Sequence, residues 1–76
     1  MTTFNIKLST IEDIRKFVEI VTRLEYDVDL SSGRYVVDAT SIMGIFSLDL
    51  LNSIQLTAHT ENADTLKEEL ASFIVA

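Results

Sequence analysis

The 76 residues carry 6 Lys+Arg against 12 Asp+Glu, a formal charge of −6, with 47% apolar residues and neither Cys nor Pro. That allows one domain whose core must come from apolar burial, because no disulfide or thiolate metal site is available to staple it. The acidic balance argues against a nucleic-acid backbone as partner, and no apolar run reaches the roughly 18 residues of a membrane span. No signal-peptide pattern opens the chain, so a soluble cytoplasmic protein is expected.

Phe4, Ile6 and Leu8 alternate with Asn5 and Lys7, which predicts a first strand over Thr3 to Leu8. Ser9 followed by Glu12 has the spacing of a capping box, so a helix should open there with Ser9 as cap and Glu12 reaching back. Its apolar face is Ile11, Ile14, Phe17, Val18 and Val21; Glu12, Asp13, Arg15, Lys16, Glu19 and Arg23 lie mostly on the other. Acidic residues in the first turn and Arg23 in the last suit the helix dipole.

Tyr26, Val28 and Leu30 alternate with Asp27 and Asp29 as a second strand, and Ser31-Ser32-Gly33 is the turn into a third, Arg34 to Ala39. A short helix should run from about Ser41 to Leu51, with the Ser41 hydroxyl capping it by accepting from an otherwise unpaired N–H. Ile54, Leu56 and Ala58 alternate with Gln55, Thr57 and His59 as a fourth strand. After the polar turn Thr60 to Asn62, a last helix from about Ala63 to Val75 should bury Leu66, Leu70, Phe73 and Ile74.

The order β-α-β-β-α-β-α over residues 1–76 points to a single α+β domain: a four-stranded antiparallel sheet with all three helices on one face. The other face should carry Asn5, Lys7, Asp27, Asp29, Asp38, Gln55, Thr57 and His59, a polar set suited to solvent. Asp27, Asp29 and Asp38 form a solvated acidic face rather than a cation site, and a lone histidine is too little for a metal, so no metal or cofactor is expected.

The short helix carries more apolar residues than it can bury. Ile45, Leu48 and Leu51 can serve the core, which leaves Ile42, Met43 and Phe46 over-exposed. Exposed Met and Phe in a cluster favour a contact surface for a protein partner or a second copy.

The run Ser-Ile-Met-Gly-Ile-Phe-Ser-Leu, Ser41 to Leu48, resembles the regulatory-serine segment of HPr, the histidine-containing phosphocarrier family of the sugar phosphotransferase system. In Gram-positive members that segment commonly reads Lys-Ser-Ile-Met-Gly-Val-Met-Ser-Leu, and the surrounding layout fits over nearly the whole chain. The resemblance implies an open-faced β-sandwich with sheet order 1-4-2-3. It implies that Ser41 is a candidate for regulatory phosphorylation by HPr kinase/phosphorylase, a reading that stands beside plain helix capping. It also implies that Ile42, Met43 and Phe46 correspond to a docking patch for phosphotransferase-system components or a regulator.

The family's other signature, a Gly-[Leu/Ile]-His-x-Arg-Pro loop before the first helix, has no counterpart in this sequence. Thr10 falls near the histidine position, Glu12 near the arginine and Asp13 near the proline. Phosphotransfer needs an imidazole nucleophile, helix N–H donors and a nearby arginine, whereas two carboxylates repel a phosphate. The implied protein is HPr-like, non-catalytic and acts by protein binding or regulation. The alternatives are a phosphocarrier with a displaced acceptor, for which His59 is the sole histidine, and a self-associating structural module.

Overall fold

The computed structural model describes residues 1–75. The elements are β1 (Thr2–Ile6), α1 (Ile11–Thr22), β2 (Val28–Ser32), β3 (Tyr35–Asp38), α2 (Ile42–Phe46), β4 (Ile54–Ala58), α3 (Asp64–Glu69) and β5 (Ile74–Val75). The strands form one antiparallel sheet in the order β3-β2-β4-β1-β5. The first four strands keep the expected 1-4-2-3 order, and β5 adds a fifth strand to the expected four.

Strand alternation decides what each face does. Ile6, Val28, Leu30, Ile54, Leu56 and Ala58 point to one side and are buried in a single cluster with helix residues including Ile14, Phe17, Val21, Ile45 and Leu66. Fully burying an aliphatic side chain stabilises by about 1.5–3 kcal/mol, so this cluster is where the fold is held. On the opposite side Asn5, Gln55 and His59 are exposed and Asp29, Ser31 and Thr57 half-buried, so the helices cover one face and leave the other open. Among the described residues no helix is long and apolar enough to cross a membrane.

Five local expectations need correction. The cap of α1 is Thr10 with Asp13, not Ser9 with Glu12: Asp13 N–H donates to Thr10 Oγ1 (3.1 Å) while Asp13 Oδ2 accepts from the Thr10 N–H (3.3 Å). Both pairs have capping-box spacing, but with Thr10 as cap the Asp13 carboxylate also accepts from the Ser9 N–H (3.1 Å), satisfying a further donor. Ile11 consequently sits in the first turn beyond the core and is 63% exposed, while Arg23 becomes the C-cap. The hairpin turn is Gly33-Arg34, because β2 runs on to Ser32, which pairs with Tyr35. Gly33 has φ +59°, as the first loop position of a tight two-residue hairpin favours.

The short helix ends at Phe46, with Ser47 as its C-cap. Asp49 captures the Leu51 N–H (3.1 Å) and the Asn52 amide (2.8 Å), a local alternative to helix that leaves Leu51 84% exposed rather than in the core. The last helix stops at Glu69 instead of running to Val75. Leu66, Leu70 and Phe73 are buried as expected, but the Phe73 carbonyl accepts from Lys7 N–H (2.8 Å), and Ile74 and Val75 pair with Ile6 and Asn5. Two consecutive β-branched residues beside an unpaired strand edge favour strand over helix.

Candidate functional site

Two helix starts carry the residues that the sequence singles out. At α1, Thr10 has extended backbone (φ −128°, ψ 165°), which turns its hydroxyl onto the Asp13 N–H. The Asp13 carboxylate folds back in return, its Oδ2 accepting from both Ser9 N–H (3.1 Å) and Thr10 N–H (3.3 Å). Two of the N–H donors beside this helix start are thus taken by the chain's own carboxylate. Glu12 is exposed in the same turn and adds a second negative charge.

At α2, Ser41 (φ −93°, ψ 101°) is the cap, its Oγ accepting from Gly44 N–H at 3.2 Å. A latch just upstream fixes the approach: Asp38 Oδ1 accepts from Thr40 N–H (2.9 Å) and Thr40 Oγ1 (2.8 Å), and the Asp38 carbonyl accepts from Ser41 N–H (3.0 Å). The Thr40 N–H, and after it the Thr40 hydroxyl, hold the Asp38 carboxyl below its ordinary pKa. Gly44 lets the helix lie close to β3, since a Cβ there would stand 3.1 Å from Ser41 Oγ and from Val37 Cβ. No acidic residue lies in the first turn of α2.

Ile45 anchors α2 in the core; Met43 is 76% exposed, whereas Phe46 (45%) and Ile42 (37%) are only partly exposed. Residues three and four apart on a helix are neighbours, so Phe46 lies beside both Ile42 and Met43 on its surface. Ser41 opens the same short helix and is exposed. Sequence reading missed Gly44, whose need is visible only when β3 is packed beside it; the Asp38-x-Thr40 turn was open to local reading.

His59 lies at the end of β4, exposed, its Nε2 donating to Asp29 Oδ2 at 2.7 Å. Ile6 pairs with Ile54 and Thr2 with Ala58, so His59 follows the opposite end of β4 from the one that leads into α1. The strand between spans roughly 16 Å. Among the described residues no group of three or more metal-ligating side chains converges. A shallow concavity of about 780 Å³ lies between the β2–β3 turn and the segment after α2, and neither helix start contributes to its lining.

This is a small open-faced antiparallel sheet with three helices on one side, whose candidate sites are two helix starts of opposite character. The sequence model described as PTS HPr component phosphorylation site matches residues 13–76, and the chain belongs to that family. The match begins at Asp13 and therefore excludes Thr10 and Glu12. The fold is that of solved phosphocarriers. HPr-C-His from Thermoanaerobacter tengcongensis superposes with a TM-score of 0.78 at 22% identity, over 95% of this chain and 89% of that one. Phosphocarrier protein HPr from Bacillus anthracis str. Ames gives 0.73 at 24% identity, over 97% of this chain and 96% of that one. Comparison with curated proteins finds no match. Family membership supports a role related to the phosphotransferase system, within a family of phosphocarriers rather than conventional enzymes.

Proposed function

We propose that this chain is a non-catalytic member of the family that acts by binding another protein through α2. The observation that carries the reading is the Asp13 carboxylate folded onto the start of α1. A phosphoryl acceptor there needs an imidazole, free backbone donors and a cation; Thr10 supplies no imidazole, and Asp13 Oδ2 already takes two N–H donors. Glu12 and Asp13 would repel an incoming phosphoryl group. The outward Ile42, Met43 and Phe46 give the binding surface, and its partner is a phosphotransferase-system component or a regulator.

Ser41 is the point at which such binding would be regulated. A phosphate on its exposed oxygen would add charge at the edge of the apolar surface and gain from the donors of the helix start. Thr40, where the family commonly has lysine, and the Asp38 carboxylate beside it both reduce the positive charge of this region.

A second reading rests on the His59–Asp29 pair, because a carboxylate on one ring nitrogen orients the imidazole and leaves the other free as an acceptor. Incubation with enzyme I and phosphoenolpyruvate decides between the two. The protein is expected to stay unlabelled; an acid-labile label lost in His59→Ala would establish the displaced acceptor instead.

A further inference from the structure

The outer edge of the sheet at β3 is built to pair with itself. Ala39 N–H donates to the Val28 carbonyl (2.9 Å), and antiparallel pairs alternate between bonded and non-bonded. Leu30–Val37 and Ser32–Tyr35 are therefore the bonded pairs of the hairpin, while Ser31–Val36 and Asp29–Asp38 are not. It follows that the Val36 N–H and carbonyl and the Asp38 N–H point away from β2, with Arg34 in the turn just before the strand and the Asp38 carbonyl taken by the Ser41 N–H. Tyr35 is 68% exposed and Val36 67%, and no Lys or Pro interrupts the strand between Arg34 and Asp38. The opposite edge, β5, is only two residues long.

We propose that this edge pairs antiparallel with the same edge of a second copy about a two-fold axis through Val36, extending one sheet across both molecules. The choice of occupant comes from the strand's own charge pattern. Only registers that bring outward-facing residues together can form the ladder, which leaves those centred on Tyr35, Val36 or Val37. Centring on Tyr35 sets Arg34 against Val36, and centring on Val37 sets Asp38 against Val36; each puts a charge opposite an apolar side chain. Centring on Val36 sets Arg34 against Asp38 twice, Tyr35 against Val37 twice, and Val36 against itself. Opposite charges and aromatic–β-branched pairs are the favourable cross-strand combinations.

The bonds follow from the same register. Each Val36 N–H donates to the other copy's Val36 carbonyl, and each Asp38 N–H to the other copy's Arg34 carbonyl. The Asp38 carbonyl already accepts from Ser41 N–H and is not needed as an acceptor. Asp38 keeps its charge for the pair, its carboxylate being bonded to Thr40. Because each copy carries a formal −6, long-range repulsion opposes the encounter, and pairing is favoured where the screening length is short, about 8 Å at physiological salt. This surface is separate from the outward side chains of α2.

Sedimentation velocity in about 0.15 M salt, with protein up to about 1 mM, tests the pairing. The dimer fraction should rise with concentration. Arg34→Glu, a turn substitution that replaces both attractive pairs with repulsive ones, should weaken association by about tenfold or more. Val36→Pro removes only an outward N–H and should abolish association while the β2–β3 ladder persists. Met43→Asp should leave association unchanged. A protein that stays monomeric throughout the range overturns the proposal. So does a dimer that Met43→Asp dissolves and that Arg34→Glu and Val36→Pro leave intact.

Discussion

The starts of α1 and α2 share one architecture and offer opposite chemistry. Each is capped by a hydroxyl on an extended residue, Thr10 or Ser41, accepting from the N–H three residues on. At α1 a carboxylate three residues into the cap returns to take the Ser9 and Thr10 N–H; at α2 the corresponding residue is Gly44, which has no side chain to return. One start thereby carries a negative charge of its own, while the other presents its cap oxygen beside exposed apolar side chains. The difference between the two starts is therefore one of charge and of neighbouring side chains, not of capping geometry.

The sharpest way to break this contrast is Asp13→Ala. It removes the acceptor for Ser9 and Thr10 N–H together, so a loss of about 1–2 kcal/mol in chemical denaturation is expected. Asp13→Asn, which keeps a carbonyl acceptor, should recover part of it. A loss below about 0.5 kcal/mol for the alanine variant would mean that solvent satisfies these donors equally well, and the carboxylate would not be what holds this start.

Ser41→Ala comes next, with an expected loss of about 1 kcal/mol, since one capping bond goes without a second set of donors being released. A loss matching that of Asp13→Ala would erase the distinction between the two starts. The third test separates packing from surface. Met43→Asp should change stability by less than about 1 kcal/mol, because little buried area is removed, whereas Phe46→Asp, at a side chain 45% exposed, should cost more, about 1–3 kcal/mol. Either change should abolish binding to the protein partner, since apolar anchors dominate such contacts. Large destabilisation with unchanged binding in a pull-down would make these residues core and remove the role of α2.

The contrast also marks what sequence can and cannot reveal. The helix body of α1 was legible because Ile14, Phe17 and Val21 recur at helical spacing, and the capping role of Ser41 because it follows a strand and precedes an apolar run. The register of the α1 cap was not, since Ser9–Glu12 and Thr10–Asp13 satisfy the same local rule and only the folded reach of Asp13 to both N–H groups distinguishes them. Nor was β5: Phe73-Ile74-Val75 is a short apolar run compatible with helix or strand, and the free edge of β1 decides it from the far end of the chain. The return of the Asp13 carboxylate onto α1 depends on that same one-residue choice, so the feature that distinguishes the two candidate sites was the part hardest to read.

The smallest expected effect concerns how the start of α2 is held. Asp38 is exposed, so the Thr40 N–H and hydroxyl that depress its pKa contribute a modest, solvent-screened stabilisation. The sign follows from linkage: with the folded pKa below the ordinary carboxylate value of about 3.9, the contribution is complete above that value. It is lost as pH falls through the depressed folded pKa. Asp38→Asn should therefore be less stable than the natural chain at about pH 7, and the gap should narrow at about pH 3 and below. Urea unfolding of both proteins across that range measures the gap directly. A gap independent of pH would show that the charge of Asp38 is irrelevant to the latch. The start of α2 would then be set by the Ser41 N–H to Asp38 carbonyl bond and the Gly44–Val37 approach alone.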